Sequence, residues 1–342
     1  MGKDKNAAED AVYDARALGG GKMLALGFQH MFAMFGATVL VPALTGLSVS
    51  VTLLFAGIGT LLFHMLTKWK VPAFLGSSFA FLGGYAAIAP ILEDGSASPL
   101  LPYACFGVAC AGLVYLVLAG LFKAFGVRKV MRFFPPIVTG PIIISIGLNL
   151  SSTAIASCNA SWGVALVAIV VVIVCNIWGK GMIRIIPILM GVIASYAVGA
   201  MFNQTDFSAV SQAAWIGPPV DWGKSVFGLF TGGEVDKTLL LTAAITIVPI
   251  SLATIVEHIG DICAISSTCG QNFVEDPGLH RTLTGDGLAT SLAALFGAPA
   301  NTTYGENTGV LALSRVYDPR VVRIAAVLAI IFSFCPKFSA VI

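Results

Sequence analysis

The stretch Asn301-Thr302-Thr303-Tyr304-Gly305-Glu306-Asn307 (NTTYGEN) lies between two apolar runs, LATSLAALFGAPA (288–300) and TGVLALS (308–314). It puts a carboxylate, two amides and two threonine hydroxyls into a region that otherwise avoids water. Whether it is a surface loop or an interruption inside a membrane span decides the fold.

Composition answers the first half of that question. Of 342 residues, 57% are hydrophobic and only 11% are charged, with a mean hydropathy of +0.91. A soluble domain carries about 25% charge. Apolar stretches of about 17–25 residues, the length that crosses a bilayer as helix, recur along the chain. The reading is an all-α polytopic membrane protein. A net charge of +2 gives no reason to expect a nucleic-acid partner. Residues 1–21 are polar and lack the short apolar core of a signal peptide, so they read as a cytosolic N-terminal tail. The seven cysteines form no CxxC pair. They read as packing residues, with no metal site, disulfide or cofactor expected. No nucleophile–base set is evident, so an enzyme is not expected.

Eleven spans are predicted, at 22–44, 50–67, 71–90, 101–122, 133–150, 162–178, 183–202, 238–262, 284–298, 300–315 and 321–341. Alternating sides from a cytosolic start puts 16 of the 19 Lys and Arg inside; only Lys224, Lys237 and Lys337 fall outside. The positive-inside rule supports that count and an N-terminus in the cytoplasm. His64, beside Lys68, reads as interfacial, and His280 and Arg281 as part of a cytosolic loop.

Two regions are poor continuous helices. Span 3 opens VPAFLGSSFAF, and the region of spans 9 and 10 contains FGAPANTTYGEN. Proline, glycine and paired hydroxyls break helix propensity. Backbone that leaves the helix inside a membrane must find partners in protein or in a wet cavity, and transporters build midplane sites this way. The two regions also match each other. Ser77-Ser78-Phe79-Ala80 aligns with Thr302-Thr303-Tyr304-Gly305, and Gln29-His30 with Glu257-His258, at offsets of 225 and 228 residues. Seven spans precede span 8, and an odd number inverts the second unit across the membrane. The expectation is a 7+7 inverted repeat with short extended segments before half-helices in spans 3 and 10. Projecting the second unit to its full length leaves about three spans lacking, as if the repeat were truncated.

Few acids fall within spans: Glu257, Asp261, Glu306 and, near a span start, Asp286. A carboxylate at a helix centre costs about 2.5–3.5 kcal/mol on insertion scales, and such groups are functional by default. Glu257 and Asp261 are four apart and share one helical face. A carboxylate cluster of this kind can exchange protons near neutral pH, as proton-coupled transport requires; the bland alternative is a polar network that only locks helices. His30 and His258 recur in the repeated pair and read as orienting groups. The paired hydroxyls are expected to cap the half-helices. Their freed N–H groups would carry partial positive charge into a cavity. Phe79 and Tyr304 could either stack on a ring or fill the core. The complement of such a site is small, flat and polar, with both N–H and C=O groups, as in a nucleobase.

These residues resemble the nucleobase–ascorbate transporter (nucleobase:cation symporter-2) family, with the bacterial uracil permeases nearest. The resemblance runs from about Gln29 to Arg315. It is carried by QHMFAMFGATVLVPALTG, FLGSSFAF, FFPP, IPILMGV, EHIGD, EDPGLHRTLTGDGLAT and NTTYGENTGV. The family signature reads Glu306-Asn307-Thr308-Gly309 and closes at Ser314-Arg315, where serine stands for the usual threonine. The resemblance implies a core domain (spans 1–4 at 22–123 and spans 8–11 at 238–342) and a gate domain. Gate spans 5–7 would be 133–202, with spans 12–14 absent here. It implies that Glu257 and Glu306 bind the base, that backbone N–H groups of Phe79 and Gly305 meet its carbonyls, and that Tyr304 lines the pocket. Asp261 stands where some members carry a coupling histidine. Gln29, His30, His258 and Asn307 would support the site. The function implied is proton-coupled import of a nucleobase, uracil first because position 306 is Glu rather than Gln, across the inner membrane. A xanthine- or urate-type purine permease, or an anion transporter of the same architecture, is the alternative. Gly-rich GIGTLLF (57–63) suits packing within the subunit or against a second copy, which leaves a homodimer open.

Overall fold

A computed structural model describes residues 11–341 except 131, 133–135, 181–182, 184–185, 206 and 232–234. Phe133–Pro135 of the FFPP motif, Arg184, and Lys3 and Lys5 of the tail lie outside the described residues. The first helices are α1 (Gly20–Thr45), α2 (Val49–Leu66), α3 (Leu82–Ile88), which follows strand β1 (Leu75–Ser77), and α4 (Leu101–Phe125). A middle group holds α5 (Pro136–Cys158), α6 (Trp162–Trp178) and α7 (Pro187–Met201). Then come α8 (Lys237–Ile247), α9 (Ser251–Cys269), α10 (Leu279–Leu295), strand β2 (Asn301–Thr303), α11 (Gly305–Ser314) and α12 (Pro319–Ser333). Among the described residues four helical stretches are long and apolar enough to cross a membrane: α1, α2, α4 and the run Lys237–Cys269 that joins α8 to α9. The sequence reading counts eleven spans. The extended segments cut spans 3 and 10 into pieces shorter than a bilayer, which accounts for two of the seven, and two more, Trp162–Trp178 and Pro187–Met201, are apolar helices of only 17 and 15 residues.

Helix packing sets the frame around those pieces. Helix α4 lies along α10, α2 along α12 and also along α10, while α1 contacts α12 and α8 contacts α4. Small residues bring the axes together, as expected where lipid supplies no hydrophobic drive between helices. A Cβ added at Gly112 would collide with Ser291 Oγ and lie 2.6 Å from the Gly287 carbonyl. Ser291 Oγ donates to the Ala109 carbonyl at 2.9 Å across the same crossing. Gly112→Val is therefore expected to force α4 off α10, at the upper end of the about 1–3 kcal/mol typical of overpacking. The check is a lower melting temperature of the purified protein, with Gly120→Val, which opens on empty space, unchanged. GIGTLLF packs within the chain: Gly57 faces the Ala326 carbonyl of α12, and Gly59 faces the Asn301 side chain.

The two broken segments meet in the middle of this frame. Strands β1 and β2 pair antiparallel, with Leu75 opposite Thr303, Gly76 opposite Thr302 and Ser77 opposite Asn301. The ladder is extended by Ser78 N–H to the Ala300 carbonyl at 2.8 Å and Tyr304 N–H to the Phe74 carbonyl at 3.0 Å. A two-stranded sheet inside a bilayer has two outer edges that must be closed. Thr60 of α2 closes one, accepting from Leu75 N–H at 2.9 Å. Thr290 of α10 closes the other, donating to the Asn301 carbonyl at 2.6 Å. Asn301 then donates through Nδ2 to the Phe55 carbonyl at 2.8 Å. All six strand residues are buried. Gly76 has no room for a side chain, because a Cβ there would sit 2.7 Å from the Tyr304 ring.

Three sequence expectations are corrected. His64 is not interfacial; it is fully buried, with Nε2 2.8 Å from the Ala73 carbonyl at the entry to β1. His280 and Arg281 are helical, because α10 starts at Leu279, five residues before the expected span. The expected final span breaks after Ser333 into a short helix, Pro336–Ala340, where Pro336 cannot continue the ladder of α12. The described part of the tail docks on the segment between α11 and α12. Val12 exchanges backbone hydrogen bonds with Arg315 and Tyr317, and Ala15 N–H donates to Asp318 at 2.7 Å.

Candidate functional site

Half-helices α3 and α11 point away from the ladder from opposite strands. Tyr304 precedes α11 with extended backbone (φ −109°, ψ 120°), and Ser78 does the same before a 3-10 turn, Phe79–Phe81, that leads into α3. The hydroxyls do not cap these starts, contrary to the sequence reading. Ser77 Oγ donates to the Thr38 carbonyl at 2.8 Å, and Thr303 Oγ1 donates to Asp261 Oδ2 at 2.8 Å. Extended backbone alternates its side chains, so these hydroxyls turn to neighbouring helices instead of curling over the next turn. Both first turns thus keep N–H groups without a side-chain cap, and these carry the partial positive charge of a helix start. Gly305 is exposed and Phe79 half-buried.

Helix α9 brings acids toward those starts. Glu257, His258 and Asp261 lie on its inner side, with Glu257 and Asp261 half-buried and His258 fully buried. Glu257 lies within electrostatic range of Glu306 and Asp286, and Asp261 within range of all three other carboxylates. Asp261 Oδ1 is also the nearest atom, at 4.0 Å, to a Cβ built on Gly305. The four acids therefore form one cluster around the start of α11.

Asp286 belongs to this cluster, although the sequence reading does not include it in the site. It is completely buried, and Oδ2 lies 3.0 Å from His258 Nδ1. The approach is off the hydrogen-bonding direction, so neither oxygen makes a well-aligned bond. His258 Nδ1 also lies 3.4 Å from Thr303 Oγ1. A continuous polar path results: Asp286, His258, Thr303, Asp261. The signal in the sequence is an acid inside TLTGDGLAT. A span that starts at 284 puts Asp286 at its edge, whereas the observed helix start at Leu279 puts it well inside.

The remaining predicted residues sit as supports. Asn307 Nδ2 donates to the His30 carbonyl at 3.0 Å and lies 3.1 Å from His30 Nδ1, which pins α11 to α1. Gln29 is buried on the same helix. Tyr304 is buried, and its hydroxyl donates to the Ser77 carbonyl at 2.7 Å. Its ring lies against Gly76, so it fills the core and offers the open side only backbone. Glu306 is exposed and lines a cavity of about 190 Å³ between α1, α7 and α11, with Phe32, Gly36, Ile188 and Leu189. Glu257 does not line that cavity, although it lies within electrostatic range of Glu306.

Facing unwound segments, uncapped half-helices and an acid cluster inside the helix bundle define a multi-pass membrane transporter. The model of the permease family (Xan_ur_permease) matches residues 21–342. The uracil permease of Bacillus caldolyticus is 42% identical over 331 residues, spanning 94% of this chain and 73% of that protein. The uracil permease of Bacillus subtilis is 39% identical, spanning 93% and 73%. The putative pyrimidine permease RutG of Escherichia coli is 38% identical, spanning 93% and 70%. Among solved structures, the transmembrane domain of the cyanobacterial bicarbonate transporter BicA superposes with a TM-score of 0.66 at 14% identity, covering 93% of this chain and 86% of that one. The chain belongs to the permease family of nucleobase–ascorbate transporters. The likeness to BicA extends to the fold.

Proposed function

We propose that this chain is the base-binding part of a proton-coupled importer of a nucleobase, uracil, across the inner membrane, with its N-terminus in the cytoplasm. The observation that carries the reading is the convergence of two uncapped half-helix starts and an acid cluster on one ladder. Uracil presents two carbonyls and two N–H groups in a plane. The N–H groups of Phe79 and Gly305 complement the carbonyls, and Glu257 and Glu306 complement the N–H groups. The uracil and pyrimidine permeases among the relatives support the substrate class.

The inverted repeat gains support from the ladder. Moving each residue by 225 carries the pair Gly76–Thr302 onto Ser77–Asn301, so the observed register is its own image. The edge-closing threonines, Thr60 and Thr290, also occupy equivalent places on α2 and α10. Spans 1–4 and 8–11 then form a core domain (22–123 and 238–342), with 133–202 as part of a gate. In this reading a proton moves through the carboxylate cluster, and Asp261 tunes Glu257.

Radiolabelled uracil binding to the purified protein in nanodiscs is the direct test. Saturable binding that excess xanthine fails to displace is expected, with Asp261→Asn changing its pH profile. Displacement by xanthine would move the reading to a purine permease. Binding of bicarbonate or sulfate without uracil would move it to an anion transporter, which four acids around the site disfavour. An unchanged pH profile in Asp261→Asn would remove that residue from coupling.

A further inference from the structure

A second cavity, of about 410 Å³, opens at the end of the bundle away from the ladder. It lies between α4, the start of α10 and the end of α2. Its polar wall holds two cations, Lys123 and Arg281, with His280 between them; burial and the charges of Arg281, Lys123 and Lys68 hold the imidazole below its ordinary pKa, so it offers a neutral N–H. Among the described residues no carboxylate pairs with any of these four. Arg281 donates instead to the Leu66 carbonyl at 3.2 Å. Asp276 acts on Lys68 at longer range, but Lys123 and Arg281 have no carboxylate at ion-pair distance among the described residues, and an anionic occupant relieves the repulsion between them.

The apolar wall continues the argument. Leu116, Ala119 and Gly120 of α4 line the cavity in step with Lys123, one helical face of that helix. Beside them Leu113, Val117 and Leu121 are exposed in a stripe of their own at four-residue spacing. A free phosphate would satisfy the cations and leave this stripe unused. A headgroup phosphate with attached acyl chains uses both, and basic pockets between spans bind such headgroups.

We propose that this cleft is a binding site for an anionic phospholipid, with the phosphate held by Lys123, His280 and Arg281 and an acyl chain lying along Leu113, Val117 and Leu121. The site is separate from the base-binding cluster and does not depend on the identity of the substrate.

Native mass spectrometry of the whole chain, released from micelles doped with phosphatidylglycerol or phosphatidylcholine, tests it. One phosphatidylglycerol is expected to be retained in preference to phosphatidylcholine. Affinity should fall roughly fivefold for each cation removed, from about 1 kcal/mol per basic residue near a membrane surface. Lys123→Gln, an exposed change, separates binding from folding; Lys123→Gln with Arg281→Gln gives the larger loss, and Lys123→Arg restores binding. Equal retention of the two lipids, or no loss in Lys123→Gln, overturns the proposal. So does displacement of the lipid by excess inorganic phosphate, which would mark a free-anion site. A dimer signal, rather than a lipid adduct, that falls in the variants would assign the cleft to a second copy and overturn it as well.

Discussion

Glu257→Gln is expected to weaken uracil binding by about one to two orders of magnitude while leaving the protein folded. In the proposed site this carboxylate accepts from the base, and a hydrogen bond to a charged group contributes about 1.5–3 kcal/mol. Losing one corresponds to a roughly 10–150-fold weaker affinity, and the amide adds an N–H that meets the N–H of the base. Equilibrium binding of labelled uracil reads this directly. Glu275→Gln, an exposed acid at the helix connection, serves as the control and should bind as before. If Glu257→Gln bound uracil within about twofold of the parent, Glu257 would not be a ligand, and the assignment of the α9 face would fail.

The second large effect is on stability. His258→Leu leaves the Asp286 carboxyl fully buried with its nearest polar partner gone. Removing one member of a buried pair costs about 3–5 kcal/mol, whereas replacing both by apolar groups is often near neutral. His258→Leu should therefore lower the melting temperature in detergent sharply, and His258→Leu with Asp286→Leu should recover most of the loss. That asymmetry separates a buried pair from two independent packing residues. Equal destabilisation by the single and double variants would show that the two side chains do not act together.

Much of this site is legible in the sequence. Ser77-Ser78 and Thr302-Thr303 interrupt apolar runs, and intramembrane acids are rare enough to stand out. The repetition of the hydroxyl pairs at nearly one offset is itself a sign of facing segments. What is not legible is set by tertiary partners. The hydroxyls look like caps because serine and threonine favour caps locally, yet Asp261 and the Thr38 carbonyl compete for them across other helices. Tyr304 could stack on a ring or fill the core by its residue type, and only the bare backbone of Gly76, which leaves a slot for its ring, decides for the core. Asp286 is hidden by a proline- and glycine-rich approach that reads as loop, although α10 begins at Leu279. His64 next to Lys68 suggests water, and only the Ala73 carbonyl explains its burial.

The strand pairing carries a consequence for biosynthesis. Thr60 can close one side of residues 75–77 as soon as the second helix exists, but the opposite side has no acceptors or donors until residues 301–303 emerge more than two hundred positions later. Until then the nascent chain must hold that peptide edge in water, in the insertion machinery or against a temporary neighbour, because hydrocarbon offers it nothing. The assembly is thus gated by a contact of very large sequence separation, the class that forms late and slowly. The strand pair comes into being only once residues 301–303 have been made, in the same event that closes the open peptide edge.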